Sequence, residues 1–399
     1  MPRLRAKMSK LERTLKMGMV GGGPGAFIGD VHRRAALLGG GVELVAGAFS
    51  SNLRKSRTKG RELLIAPARV YGSLDALIET ELALPAGERV DFVSIVTPNH
   101  LHYPMAKALI QTGFHVVCDK PMTFSVAEAR KLRRLVAKSE SVFALTHNYT
   151  GYPMVKLARD LVRSGELGRI RKVVVEYPQG WLATPLERTG MKQAEWRTDP
   201  TRSGIAGCLG DIGTHAENLS EYILGQRITE LAADLTTFVD GRKLDDDTNV
   251  LVRFEDGARG VLFASQISVG EENGLAIRIY GDRRGLRWRQ ETPNRLNLTS
   301  LDGPEETWSR GNGYIQERSP AAARATRLPA GHPEAFLEAF SNIYVNVCDT
   351  IRARILGEEP DSLMLDFPTV EDGLRGMLFI ETVVKSDRSK QKWTRLPTR

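Results

Sequence analysis

Cysteine is scarce in this chain. Only Cys118, Cys208 and Cys348 occur in 399 residues, far apart and without pair spacing. That excludes a disulfide framework and a cysteine-based zinc site, and it suits a reducing cytoplasm. Long apolar runs are also missing. No stretch of eighteen apolar residues exists, so no membrane-spanning helix and no membrane partner are expected. The first eighteen residues are basic but lack the apolar segment of a secretory signal. Basic motifs interleaved with aromatics are absent too. The net charge of +8, from 56 basic and 48 acidic residues, therefore does not imply nucleic acid. Part of the excess lies in Arg3, Arg5, Lys7, Lys10, Arg13 and Lys16, and residues 1–15 read as a basic tail. No internal repeat or low-complexity linker divides the chain.

What remains is a length suited to two domains and a βα rhythm in the first part. Strands are expected over 15–20, 42–49, 90–96, 114–118 and 142–145. Helices are expected over 27–38, 53–64, 73–80, 103–112 and 126–139, the last capped by Ser125. Strands alternating with helices specify a doubly wound parallel sheet, here over 16–149. Gly21, Gly23 and Ala26 satisfy the G-x-G-x-x-G/A spacing between the first strand and first helix. Glycine permits a tight turn and close approach of a pyrophosphate, and the helix start offers free N–H groups. Gly21, Gly23, Gly25, Ala26, Phe27 and Ile28 are the candidate phosphate-binding residues. The second strand ends in Ser50-Ser51-Asn52-Leu53-Arg54-Lys55, with no acid to take a ribose 2′-hydroxyl. Ser50, Ser51 and Arg54 could hold a 2′-phosphate instead, which favours NADP over NAD.

The polar clusters fall at strand ends: Thr97-Pro98-Asn99-His100-Leu101-His102, Asp119-Lys120-Pro121 and Thr146-His147-Asn148-Tyr149. Ligands bind outside the carboxyl ends of such sheets. Lys120 there can hold a substrate hydroxyl or assist a proton transfer.

After Tyr149 the texture changes. A helix over 152–164 leads into strands expected over 173–177, 228–238, 248–254, 259–266, 275–280 and 286–290. This reads as a large, mostly antiparallel open sheet with helices on one face, over 150–389, followed by a tail over 390–399. Self-association through the open face, as a homodimer or homotetramer, is the simplest way to cover it. Residues 291–333 read as loop, and 334–355 and 370–386 as closing helices. Asp211 and His215, four apart on one helix, pair a carboxylate with an imidazole suited to acid–base work. Gln179, Trp181 and Arg197 offer the aromatic platform and fork-like donors of a sugar site. A zinc site built from His100, His102, His147 and His215 is a weaker use of the same histidines, and no metal is expected.

The glycine-rich turn running to Gly29-Asp30-Val31-His32 resembles that of the Gfo/Idh/MocA oxidoreductases. So do Thr97-Pro98-Asn99-His100-Leu101-His102, Asp119-Lys120-Pro121, Asn148-Tyr149 and Asp211-x-Gly213-x-His215, in this order over nearly the whole chain. The resemblance implies a Rossmann domain, a sheet domain, NAD or NADP, and a hydroxyl–carbonyl reaction on a sugar or cyclitol. It implies that Thr97, Pro98, Asn99, His102, Asp119, Lys120 and Asn148 line the cofactor, with His100 close by. It makes Lys120, Asp211 and His215 the catalytic group, with Lys120 on the reacting oxygen, His215 as general acid–base and Asp211 on a neighbouring hydroxyl. Tyr149, Gln179, Trp181 and Arg197 join them around the substrate. Asp119 stands where the family usually has glutamate, and Thr150 where arginine is frequent. Two other activities suit the same residues: glycoside cleavage through transient oxidation and elimination, and a non-catalytic NAD(P) sensor.

Overall fold

The alternation of buried and exposed residues resolves into two sheets. The structure is a computed structural model that describes residue 11 and residues 13–398. Of these, the residues up to 123, 127–151 and 336–371 form one compact unit. Residues 124–126, 152–335 and those from 372 onward form the second. The basic tail expected at the start lies mostly outside the described residues. Arg13 is fixed, its guanidinium donating to both carboxylate oxygens of Asp91 at 2.7 Å.

In the first unit, β1 (Leu15–Gly21), β2 (Val42–Ala48), β3 (Phe92–Val96), β4 (His115–Cys118) and β5 (Phe143–Leu145) form a parallel sheet. Their order is β2-β1-β3-β4-β5. All five residues of β3 are buried, as expected of a strand covered on both faces. The order reverses direction at β1, so the crevice outside β1 and β3 is the natural ligand position. Two helices pack together against this sheet's core, Phe27–Leu38 and Phe336–Ile355. The second of these was expected in the second domain. Its Phe340, Ile343, Tyr344, Val347 and Ile351 share one core with Leu15, Met17, Phe92 and Val117. An apolar helical stripe states only that a helix is buried, not which sheet it covers.

In the second unit, β6 (Ile170–Pro178), β7 (Ile228–Thr236), β8 (Asp247–Phe254), β9 (Arg259–Ser265), β10 (Ala276–Gly281), β11 (Arg284–Arg289), β12 (Arg295–Ser300), β13 (Glu306–Ser309) and β14 (Thr394–Arg395) form the larger sheet. Their order is β13-β12-β11-β10-β6-β9-β8-β7-β14. β6 and β9 pair in parallel. The other neighbouring pairs are antiparallel. Two expectations fail here. The 291–333 segment contains β12, β13 and the helices Gly313–Arg318 and Pro320–Ala325. Only Leu296 and Leu298 of β12 are buried, too short an alternation to read as a strand. The expected C-terminal tail is bound: β14 pairs with β7, Leu396 N–H donates to Thr229 O, and Trp393 lies 3.9 Å from the Arg253 guanidinium.

The helix Thr214–Leu224 packs on β6 and β9. Val173, Val175, Tyr177, Leu262 and Ala264 are buried on these strands, whereas alternate positions are half-open. The half-open set includes Val174, Val261, Phe263 and Leu251 on adjacent strands. Among the described residues no helix is long and apolar enough to cross a membrane.

Candidate functional site

The first unit gathers its polar residues at the exits of β1, β3, β4 and β5. A side chain at Gly21 would meet Val96 O at 2.5 Å, and one at Gly23 would meet Phe49 O at 2.7 Å. These glycines let three strand exits approach one another. The helix–strand contact belongs to Gly29, not Ala26 as the spacing suggested: a Cβ on Gly29 would lie 2.5 Å from Gly22 Cα. Ala26 is instead the extended residue before the helix. Gly25 differs from the packing glycines. Its φ is +79°, and nothing lies within 4 Å of a Cβ there, so its backbone is open to a ligand. Phe27 is exposed at the helix start, whereas Ile28 packs on the core. At the end of β2, Ser50 Oγ accepts from Asn52 N–H, Asn52 caps the next helix, and Ser51 and Arg54 are exposed.

His102 joins two strand exits. Its Nδ1 lies 2.7 Å from Pro121 O and its Nε2 2.8 Å from Thr97 O. Burial lowers its basicity against the opposing pull of Asp119. Both nitrogens thus face backbone carbonyls, and the neutral imidazole has one N–H to donate between them. Among the described residues no group of three His, Cys, Asp or Glu is placed to hold a metal. Asp119 Oδ1 accepts from Lys120 N–H and from Thr146 Oγ1, both at 2.9 Å. Burial pushes the Asp119 carboxyl up, but contact with His32 and the nearby Lys120 ammonium outweigh it and hold it well below the usual range. His147 is pushed down to about 3, first by burial and then by Lys120. Tyr149 is buried against Phe336. Among the described residues, the Nδ2 donor of buried Asn148 and the Nδ1 of His100 have no hydrogen-bond partner. Open backbone at Gly25 and the unsatisfied Asn148 donor beyond β5 fit a group carrying phosphates and amide acceptors, as a nicotinamide dinucleotide does.

In the second unit, the parallel pairing of β6 with β9 puts their carboxyl ends side by side. Gln179 N–H donates to Ser265 O and Leu182 N–H to Gln266 O. From there a continuous line of side chains runs through the site. Tyr177 Oη (2.7 Å) and Gln179 Nε2 (2.8 Å) donate to Asn273 Oδ1. Trp181 Nε1 donates to Gln179 Oε1 at 3.0 Å. The Arg197 guanidinium lies 5.8 Å from Trp181 and 4.3 Å from Trp196. Arg197 Nε (3.0 Å) and Gln266 Nε2 (2.8 Å) both donate to Asp211 Oδ2. Asp211 sits in a π-helical turn, Leu209–Gly213, which widens the entry to the helix Thr214–Leu224. Asp245 fastens that turn, accepting from Gly207 N–H and Leu209 N–H at 2.7 Å. His215 is buried on this helix, its ring centroid 6.2 Å from that of Tyr177.

Gln179, Trp181, Arg197 and Asp211, chosen from sequence, are therefore one connected set. Gln266 and Asn273 were missed. Gln266 closes an expected strand, so its exit position was a usable signal. Asn273 lies in a loop without any pattern.

Comparison with known proteins gives the family of both halves. Residues 15–147 match the model of an oxidoreductase family with an NAD-binding Rossmann fold, and residues 155–287 match the Gfo/Idh/MocA C-terminal domain. The uncharacterized oxidoreductase YfiI of Bacillus subtilis is 32% identical over 386 residues, covering 96% of this chain and 97% of that protein. A crystal structure of an oxidoreductase from Sinorhizobium meliloti is 43% identical, with a TM-score of 0.84 over 96% of this chain and 99% of that one. An inositol dehydrogenase homolog from Azotobacter vinelandii, complexed with NAD+, is 34% identical, with a TM-score of 0.91 over 96% and 97% of the two chains. The same homolog has been solved with NADH and myo-inositol. With both halves matched in order and near-complete coverage at this identity, the chain belongs to the Gfo/Idh/MocA family of NAD-binding oxidoreductases.

Proposed function

We propose that the chain transfers a hydride between a nicotinamide dinucleotide and a ring hydroxyl or carbonyl of a neutral sugar or cyclitol. The observation that carries this reading is the line Tyr177–Asn273–Gln179–Trp181–Arg197–Asp211–Gln266, a polar and aromatic surface beside a buried histidine. Arg197 and Asp211 offset one another's charge, which suits an uncharged polyol. The myo-inositol bound by the Azotobacter homolog supports the same substrate class.

The nicotinamide, when bound, supplies the hydride acceptor or donor. The glycine loop with Gly25 would hold its phosphates, and Asn99, His100, Asn148 and the Asp119–Lys120 turn its nicotinamide half. Lys120 stabilises negative charge developing on the reacting oxygen, and positioned charge of this kind is often the largest catalytic contribution. His215 takes or returns the hydroxyl proton. Asp211, held by Arg197 and Gln266, binds a neighbouring hydroxyl. The acid-free end of β2, with Ser50, Ser51 and Arg54, favours NADP. Three free, buried thiols fit a reducing cytoplasm. The half-open sheet face around Val174, Leu251, Val261 and Phe263 takes a second copy of the chain.

The test is reduction of NAD and of NADP by a panel of inositols, sugars and glycosides, with His215→Ala as control. Loss of a positioned acid–base group lowers the rate by about 10²–10⁴. An unchanged His215→Ala rate would remove His215 from the mechanism. Faster reduction of NAD would overturn the NADP preference. Aglycone release without net reduction would replace dehydrogenation by elimination.

A further inference from the structure

A buried polar line runs through the first unit behind Lys120. Ser94 Oγ lies 2.8 Å from Tyr344 Oη, and Tyr344 Oη lies 2.7 Å from His32 Nδ1. The other nitrogen of His32, Nε2, has no hydrogen-bond partner among the described residues and faces Asp119 Oδ1 at 3.7 Å. His32 is fully buried. The same Asp119 oxygen accepts from the Lys120 backbone N–H and from Thr146. The line thus joins β3, the helix Phe336–Ile355, the helix after the glycine loop and the exits of β4 and β5.

The chemistry fixes a direction. Asp119 is ionised, so it only accepts. His32 meets it best with hydrogen on Nε2, and in a neutral ring that leaves Nδ1 as the acceptor. Tyr344 then donates to Nδ1 and receives from Ser94. In the neutral ring, moving the hydrogen from Nε2 to Nδ1 would set the Nε2 lone pair against the carboxylate. His102 faces the same carboxylate region but is already tied to Thr97 O and Pro121 O. His147 feels both Asp119 and Lys120, and remains neutral. His32 is the side chain that links the glycine-loop helix to the turn carrying Lys120.

We propose that His32 is a positioning residue: oriented by Tyr344, it turns Nε2 toward Asp119 across 3.7 Å, and this polar contact holds the carboxylate that sets the Lys120 turn. This rests on the reading of Lys120 as the residue at the reacting oxygen. It connects two parts of the dinucleotide site, because the helix that holds His32 begins at the phosphate loop. A shift of about 1 Å at such a turn is enough to lower a rate about 100-fold.

The test is an isostere pair, His32→Asn and His32→Gln, in the full-length protein. Asparagine can accept from Tyr344 at the Nδ1 position but does not reach Asp119. Glutamine can reach Asp119 and donate at the Nε2 position. Glutamine nearly matches histidine in volume whereas asparagine leaves a void, so Tm is measured for both, and a kcat and affinity loss in His32→Asn counts only in protein that is fully folded at the assay temperature. The expected result is a kcat at least tenfold lower for His32→Asn, with a weaker dinucleotide dissociation constant by fluorescence titration and little change in polyol KM. His32→Gln should stay within about threefold of wild type. Equal behaviour of the two variants, or a folded His32→Asn with wild-type kcat and affinity, overturns the inference. If neither variant folds, Tyr344→Phe decides: it keeps the ring and removes only the donor, and full activity would sink the relay. If the wild type turns over no polyol, the functional reading fails, and the dinucleotide affinities of the same variants still decide the role of His32.

Discussion

The two kinds of glycine in the first turn separate binding from stability. In Gly29→Ala the new methyl would sit 2.5 Å from Gly22 Cα, a backbone atom that cannot rotate away. Carbon atoms at rest stand about 3.5–4.0 Å apart, so the helix Phe27–Leu38 must move from β1 by about 1 Å. Overpacking of this kind costs about 1–3 kcal/mol, and a backbone obstacle puts it at the upper end, about 3 kcal/mol. At about 2–4 °C per kcal/mol for a cooperative unit of this size, Tm should fall by about 6–12 °C. Gly25→Ala meets no atom within 4 Å, but its φ of +79° disfavours a side chain. The left-handed conformation costs about 1–2 kcal/mol, some of which an exposed loop can relax away. Its main effect should be on dinucleotide affinity, because the methyl occupies the open approach. Differential scanning calorimetry and fluorescence titration of both variants give the four numbers needed. A Gly29→Ala protein with wild-type Tm, or a Gly25→Ala protein that loses more stability than Gly29→Ala, would refute the assignment.

Three further outcomes are expected. Arg197→Lys keeps the charge but loses the planar fork over Trp196 and the Nε hydrogen bond to Asp211. At about 1.5–3 kcal/mol for a hydrogen bond to a charged group, and with Gln266 still holding Asp211, polyol kcat/KM should fall about tenfold or more, and an unchanged value would detach Arg197 from the site. His115 is pushed down to about 4 by burial and by Arg354, while its Nδ1 accepts from Val142 N–H. The unfolded chain then binds a proton that the folded chain refuses between about pH 6.5 and 4, so stability falls as pH drops through that window, by about 2 kcal/mol at pH 5. Denaturant midpoints at pH 7 and pH 5 should show that loss, and His115→Asn should flatten it; an equal slope in the variant would assign the loss elsewhere. Leu251→Glu places a charge on the half-open face of the large sheet, and light scattering should report a smaller assembly than wild type. A wild-type protein that is monomeric at micromolar concentration would remove the proposed self-association.

Much of the first sheet was legible because a βα chain writes its order in sequence. Buried β-branched runs give strands, and polar residues just beyond them mark the ligand side. That ground marked Gly21 and the polar clusters 97–102, 119–121 and 146–149, and the family resemblance singled out Asn99, Asp119, Lys120 and Asn148 within them. Helical spacing, a local property, paired Asp211 with His215, and the resemblance gave the pair its catalytic role. Local pattern cannot state which remote segments meet. The helix Phe336–Ile355 carries the same kind of apolar stripe whether it covers one sheet or the other, and only packing assigned it to the first, where it brings Tyr344 to His32. Ala26 fitted the glycine spacing, yet the close contact fell to Gly29, because the helix phase decides which residue faces β1. β12 and β14 escaped notice because two buried leucines, or one pair of residues, make no periodic signal. Gln266 and Asn273 reach Gln179 and Asp211 only because β6 and β9 run parallel and end together. Sequence determined the elements and the chemistry available at their ends. Tertiary structure decided which ends coincide, because hydrogen-bond register and core packing act between residues that the chain keeps far apart.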